Sequence, residues 1–133
     1  MTRKIDHERP KNPHRIYYRI WEHEVWNDDT TPLVPVYCNI VDGCDPTVAV
    51  GDFEFCTGLR DQNDQPLFEN DIVEFTAQDG TKYKYQILLA QANLSALLLD
   101  LDSQQAEYIE PDFSEMRLIG TKMRGVENAE TVM

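Results

Sequence analysis

The stretch from Phe53 to Phe75 limits the possible folds of this chain more than any other part of its sequence. It holds two segments rich in Asp and Asn, at 60–66 and 70–71, each placed between apolar segments. These residue types form turns because they hydrogen-bond their own backbone and tolerate positive φ. Before the first turn, two phenylalanines flank Glu54, and this period of two predicts a strand with the phenylalanine face buried. The stretch therefore predicts strand, loop, short extended segment, turn and strand in close succession.

Two parts of this stretch have a recognisable pattern. Thr57 to Asp61 is Thr-Gly-Leu-Arg-Asp, and Leu67 to Val73 is Leu-Phe-Glu-Asn-Asp-Ile-Val. Together with Tyr-Arg-Ile-Trp at 18–21, they resemble the signature of the YopX family of small phage and prophage proteins. Asp64 and Asn70 stand where the family pattern has glycine, and both residue types tolerate the left-handed backbone region.

The resemblance implies a small SH3-like barrel with an N-terminal β extension, and it implies no established activity. The sequence itself predicts a mainly β fold with minor α structure. Gln78-Asp79-Gly80 predicts a hairpin between strands at 72–76 and 82–89. For 90–101, the Ala and Leu content favours a helix, whereas Asn93 would divide two strands; the resemblance favours strands. The other predicted elements are strands at 15–21, 34–41, 47–50 and 116–123 and one helical turn at 104–107.

The net charge of −12 is distributed unevenly along the 133 residues. The first 20 residues hold six basic and two acidic side chains, so the acidic excess lies in the rest. We expect one domain over 15–125, preceded by a flexible basic arm over 1–14 and followed by a frayed C-terminal tail over 126–133. An acidic body disfavours non-specific binding of duplex DNA, because attraction to phosphate supplies most of that affinity. It favours basic partners instead.

Three cysteines, Cys38, Cys44 and Cys56, leave at least one unpaired, which favours a reducing compartment. No signal peptide is recognisable, and the longest apolar run, 96–99, is too short to span a bilayer. The sequence therefore predicts a cytoplasmic protein, in the host cell cytoplasm if a phage encodes it. His23 could complete a metal site, but the cysteines are spaced too widely for a structural zinc site. We expect core or loop thiols and no metal.

No catalytic constellation can be assembled from the sequence. The three histidines lie in or near the arm, away from any Ser or Cys nucleophile, and the six glycines are scattered without a phosphate-binding loop. Paired carboxylates such as Asp28-Asp29 are expected to be solvated loop residues, because no calcium-loop pattern surrounds them. We therefore expect a protein that is not an enzyme and that needs no cofactor.

Two groups of residues are candidates for distinct roles. Aromatic residues follow the arm on a strand with large residues on both faces, which requires a partner sheet or a second subunit to cover them. The candidates for partner binding are Tyr17, Trp21, Trp26 and Arg60. The turns of the central stretch could form a second binding face, but we favour a turn-holding role, with side chains bonded to the local backbone. The candidate turn-holding residues are Thr57, Gly58, Asp61, Asn70 and Asp71.

These observations favour a small acidic protein of phage or prophage type that acts through contacts with another protein, and self-association is a further hypothesis. One alternative is an acidic mimic of nucleic acid that inhibits a host protein. Another is a nucleic-acid-binding module, in which the basic arm contacts phosphates and Tyr17 or Trp21 stacks on bases. The charge of the body opposes this last alternative.

Overall fold

A computed structural model describes residues 8–11, 14, 17–25, 28–42, 49–90, 96–107 and 112–126. In this part of the chain the structure is mainly β, with one 3₁₀ turn at Phe113–Glu115 and no α-helix. The strands are β1 (Tyr17–His23), β2 (Leu33–Asn39), β3 (Glu54–Arg60), β4 (Pro66–Phe68), β5 (Asp71–Thr76), β6 (Lys82–Leu89), β7 (Ala96–Asp100), β8 (Ala106–Glu107), β9 (Met116–Thr121) and β10 (Gly125–Val126). Within the described ranges, no helix has the length and apolar composition needed to cross a membrane.

The strands form two sheets in which the paired neighbours are antiparallel. The first sheet has the order β2-β1-β3-β4, and the second has the order β10-β9-β5-β6-β7-β8. The second sheet curls like half of a barrel, so the predicted mainly β, barrel-like fold is confirmed at this level. The hairpin of β5 and β6 forms as predicted, except that β5 begins one residue earlier, at Asp71, and it pairs Ile72 with Gln86 and Thr76 with Lys82. Its turn places Gly80 at a φ of 88°, which a glycine adopts without steric cost.

The predicted helical turn at 104–107 is wrong. Gln104 has a φ of 60°, and Ala106–Glu107 is strand β8, which pairs with β7. The 3₁₀ turn lies further along the chain, at Phe113–Glu115, where the carboxylate of Asp112 accepts a hydrogen bond from the Ser114 N–H. The minor α structure is therefore replaced by this single turn in the described part of the chain.

Other boundaries differ in smaller ways. The ambiguous region 90–101 contains strand β7 at Ala96–Asp100, while residues 91–95 lie outside the described ranges. Residues 47 and 48 of the strand predicted at 47–50 also lie outside them, and residues 49 and 50 belong to no strand. Val126, assigned to the tail, pairs with Gly120 in β10.

The apolar residues form one core inside the curled sheet and two clusters on the first sheet. The core contains Leu67, Val73, Ile87, Leu98, Phe113 and Met116. Tyr18 and Ile20 belong to a cluster on one face of β1, whereas Tyr17 packs against a cluster of Tyr37, Cys56 and Phe68. Parts of the same chain therefore cover both faces of β1. Each large apolar side chain that is fully buried contributes roughly 1.5–3 kcal/mol.

Candidate functional site

Four charged side chains form a buried network that joins the two sheets. Arg19 lies in β1 and Glu54 in β3 of the first sheet, Asp71 begins β5 of the second sheet, and Arg9 precedes β1. Arg19 and Asp71 are 0% exposed, Glu54 is 4% exposed and the side chain of Arg9 is 14% exposed. Burying an unpaired charge costs several kcal/mol, so such groups need partners of opposite sign. With two cations and two anions, this network is electrically neutral.

Asp71 lies at the centre of the buried network. Its Oδ1 accepts hydrogen bonds from Arg19 Nη1 at 2.8 Å and from Arg9 Nη2 at 3.1 Å. Its Oδ2 accepts from Arg9 Nη1 at 2.6 Å and from the backbone N–H of Phe68 at 2.7 Å. A carboxylate has about four lone-pair positions, so the accepting capacity of Asp71 is filled. The pairing with Arg9 is bidentate, which is the strong and geometrically specific form.

Arg19 uses three of its nitrogen atoms. Besides the bond to Asp71, its Nε donates to Glu54 Oε1 at 2.7 Å and its Nη2 donates to the carbonyl of Glu69 at 2.9 Å. The indole N–H of Trp21 donates to the same Glu54 oxygen at 2.7 Å. Arg19 and Glu54 are directly opposite each other in the pairing of β1 with β3. The strand register therefore brings the two charges together.

The turn before β5 connects the buried network to the second sheet. Asn70 has a φ of 68°, its Nδ2 donates to Glu54 Oε2 at 2.8 Å, and its Oδ1 accepts from Gln86 Nε2 at 2.9 Å. Its backbone N–H donates to the Ile87 carbonyl, and its own carbonyl accepts from the Lys122 N–H, both at 2.7 Å. Asn tolerates this backbone region better than most residues. A glycine here would keep the backbone conformation but would lose both side-chain bonds.

Aromatic rings surround the two guanidinium groups. The Cζ atom of Arg9 lies 5.7 Å from the ring centre of Tyr37 and 5.5 Å from that of Phe68. The Cζ atom of Arg19 lies 5.2 Å from the ring centre of Trp21 and 5.4 Å from that of Phe68. A cation over an aromatic face is stabilised by up to about 2 kcal/mol when the pair is desolvated. The ring of Phe68 lies beside both guanidinium groups and stabilises both cations.

The charges in the buried network fix its protonation. Burial alone would raise the pKa of Asp71, but the positive charges of Arg19 and Arg9 outweigh it and hold that pKa below its usual range. Burial acts to lower the pKa of each arginine, whereas Asp71 raises it, and both values lie above the ordinary one. These three groups are therefore ionised at neutral pH. A general acid or base works best with a pKa near the operating pH, which these groups do not have.

The candidates for partner binding occupy different positions. Trp21 is 1% exposed, its indole N–H is bonded to Glu54 and the guanidinium of Arg19 lies over its ring, so it lies in the interior of the described structure. Tyr17 is half-buried against the first sheet. Arg60 is half-buried, and its Nη1 donates to the carbonyl of Asp64 at 2.9 Å. Trp26 lies outside the described residues.

Asp61 bonds to backbone groups of its own turn and of a distant strand. It is 4% exposed, its Oδ1 accepts from the N–H groups of Asn63 at 2.9 Å and Gln65 at 2.8 Å, and its Oδ2 accepts from the N–H of Leu118 at 2.8 Å. Leu118 belongs to β9, so one carboxylate connects the turn after β3 to the second sheet. These contacts suit a structural role.

Thr57 and Gly58 also take part in local backbone geometry. The hydroxyl of Thr57 donates to the carbonyl of Leu67 at 2.9 Å and accepts from the N–H of Leu59 at 3.1 Å. Gly58 has a φ of 83°, a conformation that side chains other than glycine adopt at a cost. The hydroxyl of Thr57 thus bonds β3 to the neighbouring strand β4.

Sequence reasoning missed Arg9, Arg19 and Glu54 as members of one cluster. It also assigned the wrong face of β3: Glu54 is buried, whereas Phe53 and Phe55 are 39% and 40% exposed. The sequence did contain a signal for Arg19, because a charge in a strand with large residues on both faces needs a buried counter-charge. Arg9 carried no such signal, since it is one of several basic residues in the arm.

A polar cleft of about 290 Å³ is lined by side chains of β5, β6 and β9 and of the segments next to them. Glu74 and Arg117 lie in it and are bonded at 2.9 Å between Nη2 and Oε1. The cleft is lined by Gln62, Glu74, Thr76, Lys82, Glu115 and Arg117. Its two acidic and two basic side chains give no net charge with which to select an ion.

The cysteines match the expectation of core or loop thiols only in part. Cys38 is disulfide-bonded, against the expectation, whereas Cys56 is a buried thiol outside any disulfide, as expected. Cys44 lies outside the described ranges. Across those ranges, no three His, Cys, Asp or Glu side chains come together in a way that could hold a metal ion.

Comparison of the chain with protein-family models finds no match, and comparison with curated proteins finds none either. Arguments about its function therefore depend on the geometry and charge described above.

Proposed function

We propose that this chain is a small YopX-like protein of phage or prophage origin that acts in the host cytoplasm by binding a basic protein, without catalysing a reaction. The observation that carries the proposal is the placement of charge. Since the buried network of Arg9, Arg19, Glu54 and Asp71 is neutral, the entire net charge of −12 belongs to residues outside it. A strong field of one sign attracts partners of the opposite sign and speeds their association.

Many acidic side chains are available at the surface. Exposed carboxylates occur in loops between the strands of both sheets, where a partner can approach them. They include Asp29, Asp42, Asp52, Asp64, Asp102, Asp112 and Glu115. Surface charges of this kind act collectively and are screened by salt, because the Debye length is only about 10 Å at 0.1 M.

The contacts of the turn residues that carry the resemblance support a YopX-like, SH3-like barrel as the proposed fold type. Thr57, Asp61 and Asp71, which carry the resemblance, all bond to the backbone of other segments. A pattern made of such residues specifies how turns attach to strands. It is therefore better suited to defining a fold than to contacting a partner, and this supports placing the function on the acidic exterior.

Two of the residues named for the alternative nucleic-acid-binding role are engaged elsewhere. Arg9 is paired with Asp71, and Trp21 is bonded to Glu54. Self-association remains a hypothesis. Because Trp21 is buried, the apolar side chains available for it include Phe53, Phe55 and Leu59, which are exposed on or next to β3.

The proposal is tested by removing exposed negative charge without touching the buried network. A variant with Asp29→Asn, Asp52→Asn, Asp102→Asn and Glu115→Gln is compared with wild type and with a control that carries Lys11→Gln, Lys82→Gln and Lys122→Gln. Proteins captured from a bacterial host extract are identified by mass spectrometry, and the affinity of the purified partner is then measured at low and high salt. We expect a basic protein whose affinity falls at least about tenfold in the acidic-residue variant and in high salt, but not in the control.

Equal affinity of the partner for wild type and for the acidic-residue variant would contradict the proposal. Adding duplex DNA to the purified complex distinguishes the two forms of the proposal, mimicry of nucleic acid and simple protein binding. Displacement of the chain by DNA would support the form in which the acidic exterior mimics nucleic acid, and persistence of the complex would leave simple protein binding.

A further inference from the structure

We propose that Asp71 and its surroundings form a recognition site for an arginine side chain, which Arg9 of the chain's own arm occupies. We call this site the arginine socket and define it as the carboxylate of Asp71, the carbonyl of Pro66 and the rings of Tyr37 and Phe68. The inference goes beyond the proposed function, because it concerns an interior site and does not require the acidic exterior to bind anything.

The arginine socket matches the shape and bonding of a guanidinium group. Arg9 makes a bidentate pair with Asp71, and its Nη1 also donates to the Pro66 carbonyl at 2.9 Å. The rings of Tyr37 and Phe68 lie within 5.7 Å of its Cζ atom. A planar fork of donors can satisfy the carboxylate and stack on rings at once. A lysine ammonium has a single charged nitrogen and cannot reproduce the bidentate pair.

The arginine socket does not depend on Arg9 for its counter-charge. Asp71 is also bonded to Arg19 Nη1 and to the Phe68 N–H, and neither of these bonds involves Arg9. Asp71 and Phe68 are each fully buried, and Tyr37 is buried as well. The walls are therefore held by the sheets and stay in place without the occupant.

Arg9 is attached to the body in a way that allows it to be replaced. The side chain of Arg9 is 14% exposed, whereas those of Arg19 and Asp71 are 0% exposed, and Glu8 and Lys11 near it in the chain are exposed. A tethered group competes with a free ligand through its high effective concentration. An arginine on another protein can therefore take the site when further contacts favour it, and Arg9 acts as an internal competitor.

The experiment uses the full chain with Arg9→Ala, which empties the arginine socket, and the probes N-acetylargininamide and N-acetyllysinamide. Binding is followed by NMR, through the amide signals of Tyr37, Phe68 and Asp71. We expect saturable shifts of these signals with the arginine probe, at least about tenfold tighter than in wild type, because Arg9 no longer competes. The lysine probe should cause no saturable shift, since it lacks the bidentate pair.

Wild type supplies a measurement that does not require Arg9→Ala to fold. A large excess of the arginine probe should displace Arg9, and the hydrogen exchange of the Arg9 side-chain N–H groups should then accelerate, whereas the lysine probe should leave it unchanged. The inference is overturned if the arginine probe binds neither form, if both probes bind equally, or if wild type and Arg9→Ala bind it with the same affinity. None of these results would alter the charge dependence on which the proposed function is tested.

Discussion

Asp71 is the residue at which charge, backbone and aromatic contacts converge. It accepts from two arginines and from the Phe68 N–H, and it is completely buried. A carboxylate that only held its local turn would contribute about 1 kcal/mol, the usual value of one hydrogen bond. A carboxylate between two buried cations has a larger effect, because its removal leaves those cations without their partner.

We therefore predict that Asp71→Ala lowers the free energy of unfolding by about 3–5 kcal/mol, the usual cost of removing one partner of a buried ion pair. Urea denaturation followed by circular dichroism measures the change. Asp29→Ala, at an exposed position, is the control and should leave the urea midpoint unchanged. A loss near 1 kcal/mol would instead indicate that Asp71 serves its turn alone.

The depressed pKa of Asp71 predicts how stability depends on pH. Its stabilising contribution is present above the pKa of an unfolded aspartate and is lost as the pH falls through the lower pKa of the folded state. Removing Arg9 takes away one of the charges that lower this pKa. We predict that Arg9→Met shifts the acid-unfolding midpoint to higher pH, and circular dichroism during acid titration measures it.

Lys11→Met is the matched control for this titration, because Lys11 is exposed in the same segment. Its acid-unfolding midpoint should equal that of wild type. An unchanged midpoint in Arg9→Met would show that Arg9 contributes little to the protonation of Asp71.

At the scale of elements, the turn after β3 is joined to β9 by the Asp61 carboxylate and by a backbone hydrogen bond from the Gln62 N–H to the Met116 carbonyl at 2.8 Å. Asp61 accepts three backbone N–H bonds, and a buried donor left without an acceptor costs about 1–3 kcal/mol. We predict that Asp61→Ala lowers the free energy of unfolding by at least this amount and accelerates hydrogen exchange of the Leu118 amide. Asn63→Ala keeps the same backbone donors and is the control; equal exchange rates at Leu118 in both variants would contradict the prediction.

The pairing of β9 with β10 requires close approach of two backbones. A Cβ atom added to Gly120 would meet the carbonyl oxygen of Gly125 and the Cα atom of Val126 at distances that side chains do not adopt. Because backbone atoms cannot move away as a flexible side chain can, we predict that Gly120→Ala separates β10 from β9. The expected loss is about 1–3 kcal/mol, typical of overpacking. Faster hydrogen exchange at Val126 is the accompanying sign, and unchanged exchange there would count against the prediction.

The sequence predicted features that depend on residues close together in the chain, and it missed features that depend on contacts between distant residues. The β5–β6 hairpin was predicted with strand ends within one residue of those observed, because its turn residues and alternating strands lie together in the chain. The buried face of β3 was not predicted correctly, since a period of two shows that the two faces differ without showing which one is buried. The pairing of Arg19 with Glu54 decides that, and the pairing of Arg9 with Asp71 joins residues 62 positions apart.

At the scale of the whole molecule, the buried network of Arg9, Arg19, Glu54 and Asp71 has no net charge, whereas many acidic side chains are exposed in loops. These two sets of charges should respond differently to salt. Ion pairs that are fully buried are screened little, whereas exposed charges of one sign repel each other and are screened strongly. The salt dependence of stability therefore reports the exterior and not the buried network.

We predict that the melting temperature of wild type rises as sodium chloride is increased from about 10 mM to about 500 mM, because the self-repulsion of a chain with a net charge of −12 is screened over this range. The variant with Asp29→Asn, Asp52→Asn, Asp102→Asn and Glu115→Gln should show a smaller rise, since it carries less exposed charge. The lysine variant Lys11→Gln, Lys82→Gln and Lys122→Gln should show a larger one. If the melting temperature of wild type falls with salt, attraction between exposed charges of opposite sign outweighs the repulsion among the acidic side chains. The acidic exterior would then be a less suitable surface for attracting a basic partner.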